Sequence, residues 1–579
     1  MSQLVGKATS SLKACVCSAM EKAMETGALP QAEIPEFLLE VPADRSHGDW
    51  ACNAAMAGAR AFRMAPRKIA EAIVQNLDLT GTYFTRCEIA GPGFLNFFLS
   101  PQFSVDILRD ILEKSDDYGR SDYGQGEKVM VEFVSANPTG PMHMGNARGG
   151  ALGDCLAAVL DAAGYDVWRE FLINDAGNQI LKFGLSLSVR YRQLFLGEEA
   201  VTLPEDSYHG LDILDLAQAY ADEHGDDLMA VSEEERSRRL VEFALPRNIA
   251  KMKADMKKYR VEYDQWFSET TLHESGAIQE VIDVLREKGL IYEKDGATWY
   301  KASAFTEAYM KKDKKGEISE ENAPKDEVLI RQNGTPTYMA ADIAYHKNKF
   351  DRGFSRCIDV WGADHHGHVA RMKGAMDAIG LDGEKLDVVL MQLVKLMKNG
   401  EEVRMSKRTG KAIQLSDLLD EVPVDAARFL FNMKDAGTQM KFDLDLAVQQ
   451  DSENPVYYVQ YAHARICSIL RALKAEGIEP RACTDEELML LTAPEEVELI
   501  RHMAGYTDEI IAAARSYDPA RINHYVVTLA TLFHKFYNAC RVKGVEDGLC
   551  AARLTLCVCA KTIIKNVLTM FKITCPESM

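Results

Sequence analysis

The chain of 579 residues contains 47% hydrophobic and 27% charged residues, a composition typical of a folded protein with several domains and not of a disordered chain. No run of about eighteen apolar residues occurs, and the N-terminus lacks a basic segment followed by an apolar core, so we expect no membrane span, no signal peptide and a cytoplasmic location. The net charge of −20 argues against a nucleic-acid partner on average, although a local basic surface can still bind a phosphate backbone.

Thirteen cysteines are scattered along the chain, and no two have C-x-x-C spacing. This distribution fits neither a disulfide framework nor a zinc site. We therefore expect reduced, mostly buried thiols and no protein-bound metal.

The first part of the chain alternates segments of helical and strand-like character. A Gly/Pro turn leads into an aromatic strand in "EIAGPGFLNFFLS" (88–100), and "SPQFSVDILRDILEK" (100–114) has the apolar spacing of a helix. The polar stretch after this helix indicates a domain boundary. We predict an N-terminal α+β domain over residues 1–118.

The middle of the chain repeats a strand–loop–helix unit. "KVMVEFVSAN" (128–137) has the apolar run of a strand buried in a parallel sheet, and a helix and the strand "DVWREFLI" (166–173) follow it. A second unit lies in "RCIDVWGADHHGHVARMKGAMDAIG" (356–380). The order predicts an α/β fold, a Rossmann-type doubly wound parallel sheet over residues 119–450, which binds ligands at the carboxyl ends of its strands.

Helical sequence dominates two other regions. A charged helical stretch separates the two strand–loop–helix units and predicts a helical insertion near residues 185–300. After residue 450 only helical periodicity remains. We predict an all-helical bundle over residues 451–579.

A Gly- and Pro-rich turn, "SANPTGPMHMGNARGG" (135–150), joins the first predicted strand to its helix. The free N–H groups and the dipole of the helix start favour phosphate. Gly145 would let a flat ring or a backbone lie close, and His143 could donate to a triphosphate. The sequence therefore predicts a nucleotide site, with a structural turn around a partly buried histidine as the alternative.

A basic loop, "KNGEEVRMSKRTGKAI" (398–413), lies beyond the last strand of the predicted sheet. Its cations could clamp the outer phosphates as charge moves onto pyrophosphate. A solvated basic loop is the alternative.

Both loops resemble known signature sequences. "HMGN" (143–146) resembles the His-Ile-Gly-His signature, and "RMSKR" (404–408) resembles the Lys-Met-Ser-Lys-Ser signature, of class I aminoacyl-tRNA synthetases. Asn146 replaces a histidine, Arg404 a lysine and Arg408 a serine. Longer strings are similar to the bacterial-type arginyl-tRNA synthetase family over essentially the whole chain: "VEFVSANPTGPMHMGNARG", "INDAGNQI", "TYMAADIAYH", "WGADHHGHVAR", "DAARFLF" and "NPVYYVQYAHAR".

The resemblance implies an arginine–tRNA ligase, which activates L-arginine with ATP and Mg²⁺ to arginyl-adenylate and pyrophosphate and then transfers arginine to the terminal adenosine of tRNA(Arg). No protein nucleophile is needed, because the substrate carboxylate attacks the α-phosphorus and positioning and electrostatics supply the rate. The catalytic residues would be His143, Asn146 and Lys407. The ATP-binding residues would be these three with Gly145, Asp364, Met405 and Ser406.

A guanidinium group requires carboxylates in its plane and an aromatic or apolar wall. By resemblance, Glu132, Tyr338 and Asp342 face the guanidinium, while Asn137 and His365 contact the amino and carboxylate end of arginine. Tyr338 and Asp342 are one helical turn apart, so both can face one pocket. Without the resemblance, Asp342 would be interpreted as a surface or capping carboxylate.

The histidine-rich loop also has enough donors for zinc or manganese, in Asp364, His365, His366 and His368. Adjacent histidines of one loop rarely converge on one ion. We therefore expect no structural metal there.

By resemblance, the last domain contacts the anticodon of tRNA and the first contacts its outer corner. Bases are usually held by aromatic stacking and edge hydrogen bonds, with core packing as the alternative role of such aromatic side chains. The residues expected to contact RNA are Phe94, Asn96, Asn454, Tyr457, Tyr461 and Met579. We expect a monomer that has tRNA(Arg), L-arginine and ATP as partners and no membrane contact.

Two other functions stay open from the sequence. A ligase that transfers an adenylated amino acid to a small acceptor would not need the helical bundle. A catalytically silent relative should have lost the phosphate-contacting residues, yet His143, Gly145 and Lys407 are present.

Overall fold

The computed structural model describes residues 3–42, 44, 47–310, 318, 323–403 and 413–579. The N-terminal elements are α1 (Gln3–Glu25), β1 (Leu39–Glu40), β2 (Trp50–Cys52), α2 (Ala54–Ala57), α3 (Ala59–Phe62), α4 (Pro66–Asn76), β3 (Phe84–Ala90), β4 (Phe94–Leu99) and α5 (Pro101–Lys114). The strands form an antiparallel sheet in the order β1-β2-β4-β3. Its core includes Trp50 and Phe84, whose rings pack edge to face at 5.5 Å. The predicted aromatic strand and the helix after it are confirmed as β4 and α5.

The middle of the chain continues with β5 (Lys128–Glu132), α6 (Met144–Ala162), β6 (Asp166–Ile173), α7 (Asn178–Leu196), α8 (Leu211–His224), α9 (Glu233–Lys258), β7 (Gln265–Ser268), α10 (Thr270–Glu274), α11 (Ala277–Glu287), β8 (Ile291–Lys294), β9 (Ala297–Tyr300), α12 (Ser303–Thr306), β10 (Glu327–Ile330), α13 (Tyr338–Asp351), β11 (Arg356–Gly362), α14 (His366–Ile379) and β12 (Leu386–Met391). Five of these strands form one parallel sheet in the order β12-β11-β5-β6-β7. The first strand of this sheet in chain order, β5, lies at its centre. Strands β6 and β7 follow on one side of β5, and β11 and β12 lie on the other side. The strand order therefore reverses between β5 and β11, which is where a doubly wound sheet opens a ligand crevice. The expected α/β fold is confirmed.

The insertion between β6 and β11 is only partly helical. Helices α7, α8 and α9 form a core of their own that includes Phe183, Leu187 and Tyr191. The predicted helical stretch also contains β7, which the sequence analysis missed and which is the edge strand of the parallel sheet. Its four residues are too few for a strand periodicity to appear in the sequence. Strands β8, β9 and β10 form a separate antiparallel sheet.

The chain then forms β13 (Val394–Lys398), β14 (Glu401–Val403), α15 (Leu415–Glu421), α16 (Val424–Phe431), β15 (Met440–Asp443) and α17 (Leu444–Val448). The C-terminal helices are α18 (Pro455–Ala475), α19 (Asp485–Leu488), α20 (Pro494–Ala504), α21 (Tyr506–Ser516), α22 (Ala520–Ala539) and α23 (Asp547–Met570). The all-helical C-terminal domain is thus confirmed. None of the helices in the described part of the chain combines the length and the apolar character needed to cross a bilayer.

The end of the chain returns to the parallel sheet. Arg428, buried on α16, donates to Asp154 of α6 at 2.5 Å and to the carbonyl of Phe571 at 2.8 Å. Lys572 donates to the other oxygen of Asp154 at 2.9 Å. These bonds fasten the last helix to α6, whose first turn forms part of the site described next.

Candidate functional site

The turn between β5 and α6 presents a polar helix start at the carboxyl edge of the sheet. His143 is the N-cap residue, and its Nδ1 accepts a hydrogen bond from the N–H of Gly145 at 3.0 Å. The N–H of His143 donates in turn to Oδ1 of Asn146 at 2.9 Å, which completes a capping box. Because Nδ1 is an acceptor, the neutral ring carries its proton on Nε2 and can donate it to a ligand.

The surroundings of this turn keep the His143 ring neutral and constrain its neighbours. Partial burial of the ring lowers the pKa of His143 below its ordinary value. A Cβ atom at Gly145 would lie 2.9 Å from the His143 ring, so a side chain at this position would displace the ring. Val134, earlier in the same connection, has a φ of 73°, a strained conformation for a β-branched residue that is more common at functional sites than elsewhere.

The second signature, "RMSKR", falls on residues 404–408. Residues Arg404, Met405, Ser406, Lys407 and Arg408 lie outside the described residues. The described chain that follows them is held against the helix start, because Gln414 pairs with His143 as a β-bridge and Leu415 donates to the carbonyl of Met142 at 2.9 Å.

The histidine-rich loop follows β11 at the same edge. The side chains of Asp364 and His365 are 82% and 58% exposed, with their nearest charged atoms 3.7 Å apart, so both can reach a ligand in the crevice. His368 instead turns to α13 and bonds Asp342 at 2.9 Å through Nε2. Among the described residues, no three His, Cys, Asp or Glu side chains are grouped to hold a metal ion.

The start of α13 forms an acidic pocket at this edge of the sheet. Tyr338 and Asp342 lie one turn apart, and the Tyr338 hydroxyl donates to the side chain of Gln179 at the start of α7. Glu269, directly after β7, is buried, and burial together with the charges of Asp342 and Asp175 raises its pKa to about 7. A cation placed against such a buried carboxylate stabilises its charged form.

The pocket acids differ in how much of their hydrogen-bonding capacity is free. Asp175 already accepts bonds from Ser268 at 2.5 Å and from the Thr270 N–H at 2.9 Å. Tyr338 is 50% exposed. Partial burial, and to a smaller extent the charge of Glu269, raises the pKa of the Tyr338 hydroxyl. The Asp342 side chain is 36% exposed, so Tyr338 and Asp342 are open to a ligand. Glu269 lies buried beside them, with His273 at 3.7 Å.

Two other predicted arginine contacts are placed differently. Asn137 is exposed in the connection that follows β5. Glu132 is 5% exposed, and its carboxylate accepts bonds from Lys349 and, at 2.7 Å, from Ser135. The structure thus places Glu132 beneath the pocket and pairs it with a buried lysine.

A cavity of about 390 Å³ opens between α18 and α22 in the helical domain. Its lining combines aromatic walls with polar groups: Ser452, Tyr457, Tyr458, Tyr461, Arg465, His534 and Asn538. Arg465 donates to Nδ1 of His534 at 3.3 Å, and the Nε2 of His534 is buried without a hydrogen-bond partner among the described residues. Burial, with Arg465 close by, lowers the pKa of His534 to about 4, so the ring is neutral at pH 7.

The predicted RNA-contacting residues divide into exposed and buried groups. Tyr457 lines both this cavity and an adjoining one of about 330 Å³ that also contains Asn454 and Met579. Asn454 is buried and caps α18 through the N–H of Val456 at 3.3 Å. In the N-terminal sheet Phe94 is 36% exposed, whereas Asn96 is 5% exposed because it lies between two neighbouring strands. The structure therefore brings Tyr457 and Met579 together and leaves Asn96 inside.

Several site residues escaped the sequence analysis. Asp175, Gln179, Glu269 and His368 were not singled out as ligand contacts. Glu269 directly follows β7, and Asp175 lies two residues beyond the end of β6. A polar residue just past the carboxyl end of a parallel strand is the signal that could have found them. For Glu269 that signal was lost, because β7 itself was not predicted.

Comparison with known proteins agrees with this geometry. Family models match three consecutive parts of the chain: the arginyl-tRNA synthetase N-terminal domain over residues 10–99, the class I (R) tRNA synthetase catalytic domain over residues 107–466 and the DALR anticodon binding domain over residues 459–579. The proteins named arginine–tRNA ligase from Acetivibrio thermocellus and Caldanaerobacter subterraneus subsp. tengcongensis are 52% and 53% identical to this chain, and each comparison covers 100% of both proteins. The solved structure of Thermus thermophilus arginyl-tRNA synthetase has the same fold, with a TM-score of 0.71, 21% identity and coverage of 97% of this chain and 99% of that chain. The chain therefore belongs to the arginyl-tRNA synthetase family of class I aminoacyl-tRNA synthetases.

Proposed function

We propose that this protein is an arginine–tRNA ligase that forms arginyl-adenylate from L-arginine and ATP and then esterifies the terminal adenosine of tRNA(Arg). The observation that carries the proposal is the acidic pocket of Tyr338, Asp342 and Glu269 beside the His143 helix start, at the crevice edge of one sheet. A pocket with two carboxylates and an aromatic ring suits a guanidinium group. A helix start with a free donor suits a triphosphate.

ATP, as its Mg²⁺ complex, is a substrate and would lie on the His143 turn. His143 would donate from Nε2 to a phosphate oxygen, and Gly145 would lie under the adenine ring. Asn146 holds the turn through its bond to His143, and its amide NH₂ group remains for ATP. Asp364 is exposed at the end of β11, where it would contact the nucleotide together with Met405, Ser406 and Lys407.

Arginine would lie with its guanidinium between Asp342 and Glu269 and with Tyr338 as a wall. Asn137 and His365, both exposed at the crevice, would hold the amino and carboxylate end. The carboxylate of arginine then attacks the α-phosphorus, a P–O bond forms, and the bond to pyrophosphate breaks. Lys407 would neutralise the leaving pyrophosphate. Glu132, buried and bonded by Lys349 and Ser135, would act from beneath the pocket.

The tRNA would contact two surfaces. The cavity between α18 and α22 has the aromatic walls and polar groups that hold an unstacked base, so Tyr457 and Tyr461 would contact the anticodon end. Met579, which lines the adjoining cavity with Tyr457, would contact it too. Phe94 would contact the outer corner. Asn96 and Asn454 would act through the sheet and the α18 cap that they stabilise.

We also propose domain boundaries near residues 118 and 450, with an N-terminal domain, a catalytic domain and an anticodon-binding domain. We further propose a monomer that works in the cytoplasm, where ATP, arginine and tRNA are available and where the free thiols of the chain stay reduced.

The test is ATP–pyrophosphate exchange with arginine, lysine, glutamate and cysteine, each with and without total tRNA, followed by aminoacylation. Exchange specific for arginine, with transfer to tRNA, is the expected result. Exchange with another amino acid would overturn the pocket assignment. Exchange without transfer to tRNA would favour a ligase with a small acceptor, and no ATP binding would favour a silent relative.

A further inference from the structure

Four ionisable side chains are buried beneath the acidic pocket, and we call them the buried charge cluster: Glu132, His346, Lys349 and Asp359. Lys349 and Asp359 are both 0% exposed. The Nζ atom of Lys349 donates to Glu132 and, at 2.8 Å, to Asp359. The Nε2 atom of His346 lies 2.7 Å from the other oxygen of Asp359. Each carboxylate of the cluster is therefore held by a cation or a ring N–H.

The cluster joins the two strands on either side of the crevice. Glu132 on β5 and Asp359 on β11 are direct partners in the parallel register, so their side chains lie on the same face of the sheet. Two adjacent carboxylates would repel each other. Burial raises the pKa of Glu132, whereas Lys349 and His346 outweigh burial at Asp359 and hold its pKa below the ordinary value. Lys349 thus bridges two neighbouring strands whose carboxylates would otherwise repel each other.

The cluster is also continuous with the acidic pocket. Asp342, His346 and Lys349 follow one another at spacings of four and three residues, so they share one face of α13. The Nδ1 atom of His346 lies 2.7 Å from the backbone carbonyl of Asp342. The carboxylate of Asp342 is bonded at 2.9 Å by His368, which follows β11. The position of Asp342 is therefore set from below by the cluster and from the side by the loop after β11.

Burying four ionisable side chains costs desolvation free energy that apolar residues would not. Buried ion pairs rarely stabilise a protein more than apolar residues of similar volume, and their best-supported role is to specify one arrangement. The arrangement specified here is that of α13 against β5 and β11. These three elements carry or lead to Tyr338, Asp342, His143 and His365.

We infer that Lys349 is a positioning residue for arginine recognition: by bridging Glu132 and Asp359 across the crevice it fixes α13 so that Tyr338 and Asp342 hold the guanidinium group. The inference rests on the proposed function of that pocket. Lys349 does not contact substrate. Its loss should misplace the pocket by a fraction of an ångström to about 1 Å, a displacement that can cost about a hundredfold in a positioned reaction.

The experiment compares Lys349→Met with Lys347→Met in the full-length protein. Lys347 lies on the same helix but points outward, where it pairs with Glu280 at 2.9 Å and Asp351 at 2.6 Å. Steady-state ATP–pyrophosphate exchange with saturating total tRNA gives KM for arginine and for ATP separately. For Lys349→Met, KM for arginine should rise at least about tenfold while KM for ATP changes less than about threefold. Lys347→Met should leave both unchanged.

Equal changes in both KM values, or a lower kcat alone that matches the loss of folded protein by circular dichroism, would overturn the positioning role. If Lys349→Met does not fold, the double variant Lys349→Met with Asp359→Asn replaces it, because this variant removes one buried charge of each sign. The same two KM values are then compared. Asp342→Asn separates the two proposals. If it leaves KM for arginine unchanged, the pocket assignment itself fails; if it raises that KM and Lys349→Met does not, only the positioning role fails.

Discussion

The N–H of Gly145 donates to Nδ1 of His143 at 3.0 Å, and this one bond decides which ring nitrogen is free. The Nε2 atom of the neutral ring therefore carries the proton. His143 therefore has two separable roles. It caps α6, and it can donate a hydrogen bond to a phosphate.

Replacing His143 can separate these two roles. His143→Ala should lower stability by about 1 kcal/mol through the lost cap and lower kcat/KM for ATP about a hundredfold through the lost donor. His143→Asn should keep the cap and stability but lose the same activity, because its side chain is too short to reach the phosphate. Thermal unfolding and ATP–pyrophosphate exchange measure the two effects. Equal activity of the two proteins near wild type would remove His143 from the phosphate site.

The raised pKa of Glu269 predicts a pH dependence of arginine binding. The guanidinium group stays charged at all accessible pH values, whereas Glu269 becomes negative only as the pH rises through about 7. KM for arginine should therefore fall about threefold to tenfold from about pH 6 to about pH 8. Glu269→Gln should have a higher KM and a flat profile. KM for ATP, followed in parallel, is the control, and identical profiles for wild type and variant would contradict the assignment.

The proposed role of Lys407, which lies outside the described residues, can be tested by substitution. Lys407→Ala should lower the rate of adenylate formation about a hundredfold or more, because the charge on leaving pyrophosphate loses its cation. The unfolding temperature should stay within about 1 °C, since a single cation outside a buried pair contributes little to stability. Single-turnover adenylate formation is the measurement. A rate close to that of the unaltered protein would rule out the role.

The cavity lined by Tyr458, Tyr461 and Arg465 predicts an effect on tRNA binding that is separate from ATP binding. Tyr461→Ala should raise KM for tRNA about tenfold, within the range of a lost base stack, and should leave KM for ATP unchanged. Tyr123→Ala, an aromatic residue of similar exposure outside the cavity, is the matched control. Equal effects of the two substitutions would mean that the cavity does not bind a base.

The pair of Arg428 and Asp154 predicts a large effect on stability. Arg428→Met leaves the buried Asp154 with Lys572 as its nearest cation and frees three backbone carbonyls, so the free energy of unfolding should fall by about 3 kcal/mol. Arg521→Met breaks an exposed pair with Glu509 and should cost less than about 1 kcal/mol. Urea unfolding compares the two proteins. Similar losses would show that Arg428 is not a stabilising centre.

Much of this protein is determined by local sequence. The strand, turn and helix around His143 follow from a short apolar run, a Gly/Pro turn and the helical spacing after it, whereas the capping of the helix by His143 and Asn146 is seen only in the structure. The doubly wound order follows from two such units, and the helical C-terminal domain follows from its periodicity. These features depend on neighbours within one or two turns, which is why the sequence is sufficient to predict them.

Only the tertiary structure decides which distant residues meet. Glu269 lies beside Asp342 and Asp175 because the unpredicted β7 joins the sheet edge, and His368 turns to Asp342 because α14 packs beside α13. Glu132 lies beneath the pocket because the register of β5 and β11 sets it beside Asp359, and Asn96 is buried because it lies on a central strand. His534 joins Tyr461 across two helices. Burial and partners at long range depend on packing and register, which single-residue patterns do not encode.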